Sequence, residues 1–142
     1  MEKLETKPLT EIHKVVQLNA PLEKVWKAIA TSDGIASWWM KNNFKPKIGY
    51  KFDLFYGDAP SPCKVTEIIP SSKLSFEWDK DWQITFELKE LGPNKCELSL
   101  THAGWDENKN TRFGQPHTVL RKVMYDGWTN MLQNRLPEQL EM

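Results

Sequence analysis

Two residues combine a chemistry and a setting that would suit proton transfer. Glu67 stands in the run Val65-Thr66-Glu67-Ile68-Ile69, and His102 closes the run Leu98-Ser99-Leu100-Thr101-His102. By strand alternation Glu67 shares a face with Cys63, Val65 and Ile69, and His102 shares one with Leu98 and Leu100. On interior faces each would need a polar partner, and a buried carboxylate beside a histidine could do acid–base chemistry or orient a ligand. The plainer arrangement puts His102 at a strand end, bonded to loop backbone, with Glu67 at a rim. That arrangement is preferred, and no catalytic residue is assigned.

Other reactive constellations are not evident. His13, His102 and His117 are scattered without carboxylate or thiolate partners at metal-ligand spacing, so no metal is expected. Cys63 and Cys96 form no CxxC pair and read as small apolar strand residues. The acidic stretch Asp106 to Asn110 lacks calcium-loop spacing. There is no P-loop, nucleophile elbow or GxGxxG, and no cofactor is expected. The chain reads as a non-catalyst.

Composition narrows the class. The chain has 142 residues, 39% hydrophobic and 27% charged, with seven tryptophans. Each tryptophan buries roughly 150–250 Å², so seven can dominate a small core or line a cavity. Lys plus Arg and Asp plus Glu are each 19. That balance, and the absence of a basic run, argue against nucleic acid as a partner. Lys41, Lys45 and Lys47 are interleaved with Asn42, Asn43 and Pro46 and read as a solvated loop. No apolar stretch reaches the ~18 residues of a membrane span, and the first residues carry no leader-like apolar run. The expectation is a cytoplasmic protein, monomeric or weakly dimeric.

The elements that must position these residues follow from periodicity. Residues 1–10 read as a flexible tail and 11–142 as one domain. Ile12 to Asn19 reads as a strand. Pro21 opens a helix with the stripe Val25, Trp26, Ile29 and Ala30, and Thr31-Ser32-Asp33 caps a second short helix running to Trp39. Alternating runs then follow: Tyr50 to Tyr56, Cys63 to Ile69, Leu74 to Trp78, Trp82 to Leu88 and Cys96 to His102. Turn residues separate them, which predicts an antiparallel meander. Residues 103–115 read as loop. After Pro116, Leu120, Met124, Gly127, Trp128, Met131, Leu132 and Leu136 recur at helical spacing. About 20 residues make a helix of ~30 Å, which matches the width of six strands at ~4.8 Å. The fold class is therefore α+β: a six-stranded antiparallel sheet wrapped around a long C-terminal helix, with two short helices after the first strand.

In that order, Ala20-Pro21 with Val25-Trp26, then Trp38-Trp39, Gly49 with Phe52, and Val65 through Pro70 resemble a known family. Leu74-Ser75-Phe76-Glu77-Trp78, Leu98 through His102, and Gly127-Trp128 continue the match. The chain resembles the START-like, or SRPBCC, superfamily of helix-grip folds. Its nearest branch is similar to the C-terminal domain of the activator of the heat-shock protein 90 ATPase and stand-alone bacterial relatives. The resemblance runs from about Ile12 to about Leu136. It implies a hydrophobic cavity between sheet and long helix that holds lipids, sterols or polyketides.

The site expected from this combination is a pocket. Its sheet wall is Phe52, Leu54, Val65, Phe76, Trp78, Ile84, Phe86 and Leu98, with Glu67 and His102 as polar exceptions. Its helix wall is Met124, Gly127, Trp128 and Met131. Of the adjacent Trp38 and Trp39, one enters the core while the other guards the pocket mouth or lies as an amphipathic surface residue. A filled core explains the same aromatic stripes equally well. Gly127 within the helix stripe and the flanking methionines point toward a cavity, although Gly127 could also permit close approach to Trp26 or Trp38.

Three readings follow. The first is a carrier or sensor for a small apolar ligand. The second is a chaperone-linked, stress-response interaction protein, for which outer-face residues such as Phe55 and Trp105 would matter more than Trp128. The third is a cyclase- or hydrolase-like enzyme, which requires Glu67 and His102 to meet. The activator's separate chaperone-docking domain has no room in 142 residues, which counts against the second reading.

Overall fold

The computed structural model describes residues 8–141. Strand β1 (Ile12–Leu18) leads into helices α1 (Leu22–Ile29) and α2 (Ser32–Trp38). Thr31 caps α2, its Oγ1 accepting the Gly34 N–H at 3.0 Å, which meets one of the donors a helix start leaves unpaired. Strands β2 (Lys41–Asn42), β3 (Lys51–Tyr56), β4 (Ala59–Ile69), β5 (Lys73–Trp78), β6 (Trp82–Gly92) and β7 (Lys95–Ala103) follow.

The sheet is antiparallel in the order β1-β7-β6-β5-β4-β3-β2. It has seven strands where periodicity predicted six. The extra one, β2, pairs only Lys41 with Phe55 and Asn42 with Leu54. Two residues are too few to show an alternation, so no pattern could announce it.

The C-terminal helix runs as α3 (His117–Asn130), a π-helical turn (Met131–Arg135) and α4 (Leu136–Leu140). In the turn the Leu136 N–H reaches the Met131 carbonyl, one residue farther than an α-helix would. Pro137 follows directly. Its ring lacks an N–H and would press on the carbonyl four residues back, and widening the preceding turn relieves that conflict.

One irregularity re-aims a side chain. β4 carries a bulge between Val65 and Glu67, so Val65 pairs with Phe76 but Glu67 pairs with Ser75. An extra residue in one strand reverses the alternation beyond it. Cys63 and Val65 are buried, whereas Glu67 points to the outer face and Ile69 is half-exposed.

Candidate functional site

Strands β3 to β7 turn Phe52, Leu54, Val65, Phe76, Trp78, Ile84, Phe86 and Leu98 inward, and all are buried. Opposite them are Trp38 and Trp39 from the end of α2 and Trp128 from α3, also buried. These rings touch. Trp39 lies 4.8 Å from Trp128, 5.5 Å from Trp78, 6.2 Å from Phe76 and 5.9 Å from Trp38 between centroids. Trp38 meets Phe86 edge-on at 6.1 Å, and Phe52 meets Phe76 at 5.3 Å. These are the separations of packed aromatic pairs. The residues expected to face one another across a cavity fill it instead, Trp39 in the middle of the group. Two surface clefts, one beside Asp81, Trp105 and Lys109 and one beside Gln133, Pro137 and Glu141, are lined by none of these rings.

The other half of the expected helix wall is different. Met124, Gly127 and Met131 are only partly buried, and a Cβ added to Gly127 would meet no atom within 4 Å. Gly127 therefore does not serve close approach to Trp26 or Trp38. It marks an open flank of α3, continued by Val119 (59% exposed) and Val123 (57%).

His102 is fully buried at the inner edge of this group. Its Nδ1 accepts the Trp128 indole N–H at 3.0 Å, and its carbonyl accepts the Trp105 indole N–H at 2.9 Å. With Nδ1 accepting, the ring proton sits on Nε2. Burial, with a smaller push from His117, lowers its pKa from 6.5 to about 3, so the ring is neutral at physiological pH. Its partners are thus indoles rather than the loop backbone expected for its side chain.

Glu67 is not part of this site. It pairs with Lys73 at 3.0 Å on the outer face, and β5 and β6 separate β4 from β7. Three strand steps of ~4.8 Å put the two backbones roughly 14 Å apart. Neither direct contact nor one water bridges that distance, so the acid–base pair that the enzymatic reading required does not form.

Three residues outside the expected pocket join His102. Trp82 packs at 5.0 Å from it and Trp105 at 4.6 Å. His117, the first residue of α3, is fully buried against both tryptophans, at 5.7 and 5.5 Å. Trp105 is 2% exposed and is not an outer-face residue. The His117 Nδ1 accepts the Asp106 backbone N–H at 3.2 Å, and Nε2 faces Asp81 Oδ2 at 4.0 Å. Burial lowers the His117 pKa; Asp81, Asp79 and Asp106 oppose that shift, while Lys109 adds to it. A histidine directly after a proline at a helix start was the available signal, but only the folded loop brings it to Asp81.

A curved antiparallel sheet gripping a C-terminal helix, two short helices after the first strand and an aromatic group between the layers define a helix-grip α+β domain of the START-like class. The comparisons narrow this further. Residues 19–141 match the family described as activator of Hsp90 ATPase homolog 1-like protein, and the chain belongs to that family. Among solved structures, a Bacillus halodurans protein is 38% identical with a TM-score of 0.84, covering 94% of this chain and 99% of that one. The Aha1 dimer from Colwellia psychrerythraea is 21% identical (TM-score 0.73; 94% and 98% covered). An HSP90 activator from Plasmodium falciparum is 22% identical (TM-score 0.69; 88% and 91% covered). No curated protein matches the chain. No helix among the described residues is long and apolar enough to cross a membrane.

Proposed function

We propose that this protein is a non-catalytic interaction module that docks on a chaperone of the Hsp90 kind through the open flank of α3. The observation that carries this reading is the contrast between the two sides of the helix. Trp128 and Leu132 close against the sheet, while Val119 and Val123 stand exposed beside the half-buried Leu120, Met124 and Met131. Phe113, 59% exposed in the turn that leads into α3, adds to the apolar surface. Arg112 and Lys122 are exposed nearby, so an apolar partner surface with acidic margins suits it.

The family supports this choice of partner, and so does the likeness to an HSP90 activator from Plasmodium falciparum, 91% of whose solved chain is covered.

A ligand reading is favoured by one separate feature, the open space at Gly127 between Met124 and Met131. An apolar molecule bound there would rest on α3 and the adaptable methionines, rather than among the closed rings.

The test is Val123→Glu, a change at an exposed position that leaves folding intact. Docking through α3 requires the variant to lose at least tenfold in affinity for an Hsp90-type chaperone, read by calorimetry and by stimulation of its ATPase. Binding unchanged by the variant, or absent in the parent protein, would sink the proposal. A panel of fatty acids, sterols and polyketide-like aromatics in a thermal-shift assay tests the ligand reading. Light scattering, run beside both, reads whether the protein is a monomer or a weak dimer.

A further inference from the structure

Among the described residues, every buried side-chain nitrogen or oxygen without a hydrogen-bond partner belongs to one neighbourhood: Asp79 Oδ1, Asp81 Oδ2, Trp82 Nε1, His102 Nε2 and His117 Nε2. They come from the turn between β5 and β6, the first residue of β6, the end of β7 and the first residue of α3. The two histidines flank the same pair of indoles, Trp82 and Trp105. Unpaired polar atoms are costly in a protein interior, and five in one place point to a missing partner.

The partner's chemistry can be read from the atoms. Both histidines accept at Nδ1, so both present an N–H at Nε2. His117 Nε2–H faces Asp81 Oδ2 at 4.0 Å, too far for a direct bond. A group set between them must accept from the imidazole and donate to the carboxylate. An oxygen ~2.8 Å from each atom closes a triangle on that base. A hydroxyl does both jobs. A carboxylate or a bare anion cannot donate to Asp81, and an ammonium cannot accept from His117.

Beside this position lies a cleft of about 440 Å³ lined by Asp81, Trp105, Lys109, Asp106, Glu11 and Leu9, among others. Asp81 joins the two: its Oδ1 accepts from Lys109 Nζ at 3.1 Å at the cleft, and its Oδ2 is turned inward. Gly104 makes the arrangement tight. Its φ is +95°, and a Cβ there would overlap the Asp81 carbonyl, so the β5–β6 turn is seated directly on the end of β7.

We propose that this neighbourhood is a hydroxyl-binding site, in which one oxygen accepts from His117 Nε2–H and donates to Asp81 Oδ2. The hydroxyl comes either from a buried water or from a small polyol entering along the cleft. The site is independent of α3 docking, since it lies on other residues and has its own readout.

A high-resolution crystal structure grown without polyols, paired with an NMR titration of the full chain by ethylene glycol, glycerol and erythritol, tests it. An ordered oxygen within ~3.2 Å of both atoms, with no saturable shifts in the titration, supports the site and assigns the hydroxyl to water. Saturable shifts of the His117 and Trp105 ring signals, weakened at least tenfold in Asp81→Asn and in His117→Phe, support it with a polyol as the source. A direct His117–Asp81 hydrogen bond with no oxygen between them, in a protein the polyols leave unshifted, overturns it.

Discussion

His102 shows how one buried side chain can couple a fold to pH. Its pKa falls from 6.5 to about 3, chiefly because burial penalises the charged ring. As pH drops below 6.5 the unfolded chain takes up a proton that the folded one refuses. The stabilisation is therefore complete above pH 6.5 and is lost progressively as pH falls toward 3. The slope is at most ~1.4 kcal/mol per pH unit for one group. His117 contributes with the same sign, because its pKa is also lowered. Urea midpoints measured at pH 7, 6 and 5 are expected to fall, and to fall less steeply in His102→Gln. Equal slopes in the two proteins would refute this account. The sequence made His102 visible as a polar exception on an apolar face. It did not reveal the partner, because Trp128 is 26 residues away on another element.

At the scale of elements, the helix-period stripe predicted α3 correctly but not which side of it is covered. Gly127 lies within the apolar arc, yet the space beside it is open. Gly127→Ala should consequently stabilise the protein by up to ~1 kcal/mol, the usual helix preference for alanine over glycine. Calorimetry would show a small rise in Tm, whereas a fall would mean that Gly127 packs closely after all. The β4 bulge is the other element-level departure. Counting in twos puts Glu67 on the same face as Val65, and one extra residue after Val65 reverses the count. Bulges leave little trace in a sequence of alternating residues, since every residue around one still suits a strand.

For the molecule as a whole, the Trp128–His102 bond fastens the long helix to β7 across the core. Trp128→Phe keeps an aromatic ring against Trp39 but removes the only donor to His102 Nδ1 among the described residues. The expected loss is roughly 1–3 kcal/mol for a buried acceptor left unpaired, plus a cavity contribution. A lower urea midpoint with an unchanged m-value would register it, and an unchanged midpoint would show that the bond does not hold the layers together. The sequence by itself determined the class of fold: strand alternation, turn residues and a helical stripe after Pro116 are local signals that read the same before and after folding. Strand alternation likewise puts Phe76 and Trp78 on one face of β5 and Trp82 and Phe86 on one face of β6, and these faces are buried. Only the tertiary structure decided that these rings fill the interior, that Glu67 faces solvent, and that His102 and His117 flank the same two indoles. The reason is physical: periodicity specifies the direction of a side chain from its own backbone. The distance between two such side chains depends on how layers curve, bulge and pack, and no single segment encodes that.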